Sequence, residues 1–182
     1  MAERYEIRFS GAGGQGLITA GIILAEAASI VESKYAAQSQ SYGPEARGGA
    51  SKSEVIISDG PIDYPKATVV DACLAMTQEA ADKYANGIKA GGLLLVDEDF
   101  VKNLPDGDFK VLKMPIIRTA KEEIGREIVA NVVALGAMVA LTDVVTRESG
   151  ETAVLAKVPE AFLDLNKKAF NLGYDKVKSL MS

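Results

Sequence analysis

Within residues 1–31 an apolar run, a glycine-rich turn and a second apolar stretch follow one another without interruption. Tyr5 to Phe9 reads as a buried strand, Gly11-Ala12-Gly13-Gly14-Gln15-Gly16 comes next, and Leu17 to Val31 is apolar at helical spacing. A strand, a tight turn and a helix in that order open an α/β unit. Glycine in the turn admits positive φ and lets backbone N–H groups approach a ligand, while the helix start adds unpaired donors and the positive end of its dipole. Gly11, Gly13, Gly14, Gln15 and Gly16 are therefore candidate binding residues, with Gly13 expected to require either positive φ or a close backbone approach. The competing reading is that the glycines only allow the helix to pack tightly on the strand.

Gly11, Gly13 and Gly16 fit the spacing G-x-G-x-x-G. A dinucleotide site also needs an acid about twenty residues on, at the end of the second strand, to hold a ribose. The second strand candidate, Lys34 to Ser39, is flanked by Gln38, Ser39, Gln40 and Ser41, and Glu32 lies before it. The motif thus fails the context that would make it a dinucleotide fingerprint.

Further on, Lys52 to Ser58 has strand character and Asp59-Gly60-Pro61 marks a turn. Thr68 to Met76 is a buried strand, Gln78 to Asn86 a short amphipathic helix stopped at Gly87 or Gly91-Gly92, Gly92 to Val96 an apolar strand ended by Asp97, and Lys110 to Met114 a further strand. Thr119-Ala120-Lys121-Glu122 has capping-box spacing if Thr119 is the N-cap. The remainder reads as helix: Arg126 to Val145, Glu151 to Lys157, and Pro159 to Leu180 with a break expected at Gly173. Pro159 suits a first helical turn. Asn131, Gly136 and Ala137 interrupt the apolar helix Ile128 to Leu141, where small residues let another helix approach. Strands alternating with helices, most of them continuous apolar runs, predict an open, mostly parallel sheet with helices on both faces. The expected architecture is a Rossmann-like three-layer α/β sandwich with a helical C-terminal third, residues 1–182 forming a single domain.

Composition closes off much chemistry. The chain has no histidine, which removes the commonest general base, the Ser-His-Asp and Cys-His arrangements and every His-containing metal site. Cys73 is the single cysteine and stands in an apolar run, so a buried core role is expected, and this chain alone can build no disulfide, zinc or iron–sulfur site. No catalytic residue and no metal site are expected. The net charge of −5, with Lys167-Lys168 the only basic pair, argues against nucleic acid and anionic membranes as partners. The lack of a signal-like N-terminus and of a long apolar span suits a cytoplasmic protein.

A second loop, Ser41-Tyr42-Gly43-Pro44-Glu45-Ala46-Arg47-Gly48-Gly49-Ala50-Ser51, sets one arginine among three glycines. Arg47 can offer a planar fork of donors to a carboxylate or phosphate, with Gly48 and Gly49 letting the partner reach the backbone. Equally, Arg47 can pair with Glu45 or another acid and simply fix the loop.

Together the two loops make the chain resemble the gamma subunits of the 2-oxoacid:ferredoxin oxidoreductases, a family that includes the gamma domain of pyruvate:ferredoxin oxidoreductase. The resemblance spans nearly the whole chain. It rests on the G-x-G-G-Q-G loop at Gly11 to Gly16 and on the aromatic-Gly-Pro-Glu segment with arginine and glycines at Tyr42 to Gly49. The second segment, followed by Asp63-Tyr64-Pro65, looks most like the 2-oxoglutarate enzymes. Pyruvate and branched-chain relatives tend to carry Pro before the aromatic segment and Gly-Ala-Pro after its arginine, and neither is present.

The resemblance implies a complex that oxidatively decarboxylates a 2-oxoacid, 2-oxoglutarate by preference, with coenzyme A and passes electrons to ferredoxin. It implies alpha, beta and ferredoxin-like delta partner subunits, which would hold thiamine diphosphate, Mg²⁺ and the iron–sulfur clusters. This chain would bind none of these by itself. Its candidate contacts to coenzyme A or to partners are Gly11, Gly13, Gly14, Gln15, Gly16, Tyr42, Arg47, Gly48 and Gly49. The alternative from another class is a stand-alone nucleotide- or phosphometabolite-binding protein using the first loop.

Overall fold

The computed structural model describes residues 3–42 and 49–182. Six strands form one sheet: β1 (Arg4–Ala12), β2 (Tyr35–Ser41), β3 (Ala50–Ser58), β4 (Val70–Ala75), β5 (Ile88–Asp97) and β6 (Phe109–Met114), in the order β2-β3-β1-β4-β5-β6. β1, β4, β5 and β6 pair in parallel, while β3 lies antiparallel to both β1 and β2. β2 therefore runs with β1, and β3 alone is reversed. The short link between Ser41 and Ala50 explains this, since a parallel return needs a crossover of about a dozen residues or more.

The helices are α1 (Leu17–Glu26, widened through Ala27–Val31), α2 (Gln78–Tyr84), α3 (Ile116–Thr119, widened through Ala120–Ile124), α4 (Ala130–Thr142), α5 (Arg147–Lys157) and α6 (Leu163–Met181). Alternate strand residues divide between two cores. Ile7, Phe9, Val55, Ala72, Leu74 and Leu95 face α1 and α4, whereas Val70, Cys73, Ala75, Leu94 and Val96 face α2 and Val101. Burial on both faces is why β4 and β5 read as continuous apolar runs. β1 alternates instead, because Glu6, Arg8 and Ser10 point to a face where polar and charged partners, together with the end of α2, meet them. There Arg8 donates to Glu54 at 2.8 Å and to the carbonyls of Tyr84 and Asn86, closing the end of α2. Arg4 binds the carbonyls of Tyr64 and Lys66, and Glu6 accepts from the N–H groups of Thr68 and Val69, so the β3–β4 connection is strapped across this face.

Several local expectations are corrected. Thr119 is not an N-cap: it has helical backbone at φ −58°, and its buried hydroxyl has no hydrogen-bond partner among the described residues, so no capping box forms. α6 runs unbroken through Gly173, because the glycine is there for packing: a Cβ at Gly173 would strike the Val133 carbonyl, and one at Gly136 would strike the Phe170 carbonyl. α4 and α6 thus meet glycine to backbone, as the small residues of the Ile128–Leu141 stretch suggested. α4 itself starts only at Ala130, after one tight turn at Glu127–Val129, and Pro159 precedes a similar turn rather than lying within a helix. α5 begins four residues before the expected Glu151, where the Thr146 hydroxyl accepts from the Ser149 N–H at 3.1 Å.

Cys73 is fully buried, and that burial pushes its thiol up to about 11. The thiolate is the nucleophile, so at pH 8 the native protein should label with a disulfide reagent at least about a hundredfold more slowly than a free thiol of pKa about 8.5. Labelling followed by absorbance before and after denaturation checks this; a native rate equal to the denatured one would contradict the placement.

Candidate functional site

β1 delivers the first glycine loop at the carboxyl end of the sheet. From β1 the sheet extends through β3 and β2 on one side and through β4, β5 and β6 on the other, so the loop sits at the crevice where α/β sheets bind ligands. Gly14 and Gly16 adopt φ +87° and +75°, values only glycine reaches without strain. The side chain of Gln15 turns back, its Oε1 accepting the Ala12 N–H at 2.8 Å, while the Gln15 N–H donates to the Ala12 carbonyl at 3.3 Å. Gly11 is required for a different reason, since a Cβ there would lie 2.6 Å from Leu17 Cδ1 and meet Gln15 Oε1. Gly13 does not take positive φ, and a Cβ there would find only the Gly49 carbonyl, 4.0 Å away. What Gly13 does supply is its N–H, which donates to Gly49 O at 3.2 Å.

That bond joins the two glycine-rich motifs. Gly49 is buried against the first loop, and Tyr42, at the other end of the connection, is 66% exposed. Arg47 and Gly48 lie outside the described residues, as does the Gly43-Pro44-Glu45-Ala46 segment.

Above the loop opens a cleft of about 390 Å³. Its floor is the backbone of Gly14 and Gly16 with Gln15; Met76 from the end of β4, Ile117 from α3 and Ile128 and Ala130 before and at the start of α4 form apolar walls, with Glu127 and Asn131 beside them. Asn131 Nδ2 donates to Gly16 O at 3.2 Å, and a Cβ at Gly16 would sit 2.6 Å from that same nitrogen. Helix α4 is thereby clamped to the loop. Ile117 is placed by Asp97, fully buried at the end of β5, whose carboxylate accepts the Ile117 N–H at 2.9 Å and the Asp99 N–H at 3.0 Å. Burial raises the Asp97 carboxyl above its ordinary value despite those bonds, with Asp99 and Glu98 adding to the rise.

Sequence reasoning placed Gln15 and the glycines here but missed Met76, Ile117, Glu127 and Ile128, and it read Asn131 only as a packing interruption. The one available signal was that Asn131 is polar at the start of an otherwise apolar helix. Glu32, the acid nearest in sequence to a ribose-binding position, is engaged elsewhere. It accepts the Thr146 N–H at 2.7 Å and pairs with Lys34 at 2.9 Å. Burial works to raise its carboxyl, but these bonds outweigh it and the net shift is downward.

Comparison with known proteins gives a consistent set of relatives. The profile of the pyruvate ferredoxin/flavodoxin oxidoreductase family matches residues 6–176. The chain is 52% identical to the 2-oxoglutarate synthase subunit KorC of Methanocaldococcus jannaschii, over 97% of this chain and 96% of that one. Its fold superimposes on the crystal structure of the keto/oxoacid ferredoxin oxidoreductase gamma subunit from Geobacter sulfurreducens with TM-score 0.92 and 65% identity, covering 98% of each chain. It also matches the 2-oxoglutarate:ferredoxin oxidoreductase of Magnetococcus marinus, solved with 2-oxoglutarate, coenzyme A and succinyl-CoA bound, at TM-score 0.85 and 25% identity. That match covers 97% of this chain but 31% of the longer one.

Proposed function

The chain belongs to the pyruvate ferredoxin/flavodoxin oxidoreductase family, and from that premise we propose that it is the gamma subunit of a complex that oxidatively decarboxylates 2-oxoglutarate with coenzyme A to succinyl-CoA, reducing ferredoxin. Residues 1–182 act as one gamma domain within that assembly. The observation that carries the reading is the Gly13 to Gly49 hydrogen bond, which ties the end of the second loop motif to the first loop beside an open cleft. Such a surface binds and positions; the chain has no histidine, and its one thiol is buried away from the cleft.

Gly11, Gly13, Gly14, Gln15, Gly16, Tyr42, Arg47, Gly48 and Gly49 are proposed to contact coenzyme A or the neighbouring subunits. Support comes from the coenzyme bound in the Magnetococcus relative. Electron transfer and decarboxylation are assigned to alpha, beta and ferredoxin-like delta subunits carrying thiamine diphosphate, Mg²⁺ and iron–sulfur clusters. We place the complex in the cytoplasm, where a buried free thiol such as Cys73 stays reduced. The relatives described are named as a 2-oxoglutarate synthase subunit, an oxidoreductase gamma subunit and a 2-oxoglutarate:ferredoxin oxidoreductase, and none of them favours a stand-alone nucleotide-binding protein.

Purification of the native protein tests the assignment. The chain should co-elute with thiamine- and cluster-containing subunits in a fraction that forms succinyl-CoA from 2-oxoglutarate, and the rigorously purified chain should form none. Elution as a free chain retaining a nucleotide, or turnover by that chain alone, would overturn it.

A further inference from the structure

We infer that the free edge of β6 is the docking surface for an acidic, extended segment of a neighbouring subunit, which lies along it as a further strand of the sheet. The inference rests on the multisubunit reading above and names a surface well away from the first glycine loop, since β4 and β5 stand between β1 and β6. β6 ends the strand order, so the N–H and C=O groups that point away from β5 form an open row along Phe109–Met114. That edge is about 20 Å long. The connection whose residues 43–48 are undescribed joins β2 to β3, at the other end of the order.

Beside this edge the cover supplied by α6 runs out. Leu93, Leu112, Leu141 and Met181 line a groove of about 360 Å³. Met181 and its neighbour Leu180 are 51% and 53% exposed, apolar side chains at the end of a helix with no described residue covering them. Further along the strand a second hollow of about 530 Å³ opens beside Met114, Pro115 and Leu180. The charges say what kind of segment fits. Lys110 and Lys113 are exposed on β6, and neither forms an ion pair with a described residue. The other charged groups around the second hollow, Glu98, Asp175 and Lys176, are already paired with Arg118, Arg147 and Glu123. The uncompensated charge of the edge is therefore positive, in a chain whose net charge is −5. Lys110 and Leu112 share one face of the strand, because side chains alternate along it. A strand laid alongside thus places acids opposite Lys110 and Lys113 and an apolar side chain opposite Leu112, over the groove. Edge lysines repel unwanted strands, and an acid-bearing strand is the one they attract.

Amide hydrogen exchange of the full chain, alone and within the purified complex, reads the edge directly. Assembly should slow exchange across Phe109–Met114 by about tenfold or more, since a paired edge amide exchanges only when the added strand opens. The double variant Lys110→Glu with Lys113→Glu, at two exposed positions, should keep the Tm of the isolated chain and raise the concentration at which it joins the remaining subunits by about tenfold. Added salt should weaken wild-type assembly and affect that of the variant less. Equal exchange of β6 in the free chain and in the complex would overturn the inference while the complex stands. Protection of β6 in the complex, with assembly indifferent to the charge reversal, would overturn the acidic partner. Protection already present in the free chain, with sedimentation as a dimer, would make a second copy the occupant and equally overturn it. A chain that joins no other subunit would remove the inference together with the reading it rests on.

Discussion

Gly136→Ala should lower stability by about 2–4 kcal/mol, seen as a fall in Tm of roughly 4–16 °C for a chain of this size. The sign is the informative part. In a helix interior, alanine is favoured over glycine by about 1 kcal/mol, so propensity alone expects the substitution to stabilise. The structure expects the reverse, because the new Cβ would run into the carbonyl oxygen of Phe170 on α6. A main-chain carbonyl cannot rotate aside as a side-chain end can, so the two helices must separate, and α4 is buried along nearly its whole length. Gly173→Ala should behave alike, since its Cβ would meet the Val133 carbonyl on α4. Thermal unfolding by circular dichroism measures both; an unchanged or raised Tm in either variant would mean that α4 and α6 do not cross at these glycines.

The second large effect concerns the charged pair on the opposite face of the sheet. The side chains of Arg8 and Glu54 are 11% and 8% exposed, with Arg8 Nη2 and Lys52 Nζ each 2.8 Å from Glu54 Oε1. Glu54→Leu leaves the Arg8 guanidinium in a buried position with only the α2 carbonyls for company. The expected loss is about 3–5 kcal/mol, or roughly 6–20 °C in Tm. Adding Arg8→Leu removes the stranded charge, so the double variant should be less destabilised than the sum of the two single ones by at least about 1 kcal/mol. Strict additivity in urea unfolding would show that the two side chains do not form the pair described.

The alternation in β1 shows where sequence reading reached its limit. Tyr5 to Phe9 was legible as a strand because Ile7 and Phe9 share one face, but nothing local says what Glu6 and Arg8 meet on the other. Their partners, Thr68, Val69, Glu54 and the end of α2, are contributed by distant segments. Gly173 shows the same limit in a helix. Glycine raises the local cost of helix whatever its surroundings, so a break was the expectation from the chain alone, and only the arrival of Val133 from α4 turns it into a contact that requires glycine.

For the site, the glycine loop and its strand–turn–helix setting were legible because positive φ and a following helix are local properties. The cleft was not. Its walls come from β4, α3 and the turn before α4, and Met76, Ile117 and Ile128 are ordinary apolar residues until the fold gathers them. The order of strands and helices, the burial of Cys73 and the family were all readable along the chain, because hydrophobic periodicity and two short motifs are written in neighbouring residues. Only the packed fold shows that β3 runs against its neighbours, that Gly13 and Gly49 hydrogen-bond, and that Glu127 and Asn131 stand beside the first loop. Each of those depends on where a remote segment comes to rest, and that is set by the burial of both sheet faces at once, which no local pattern encodes.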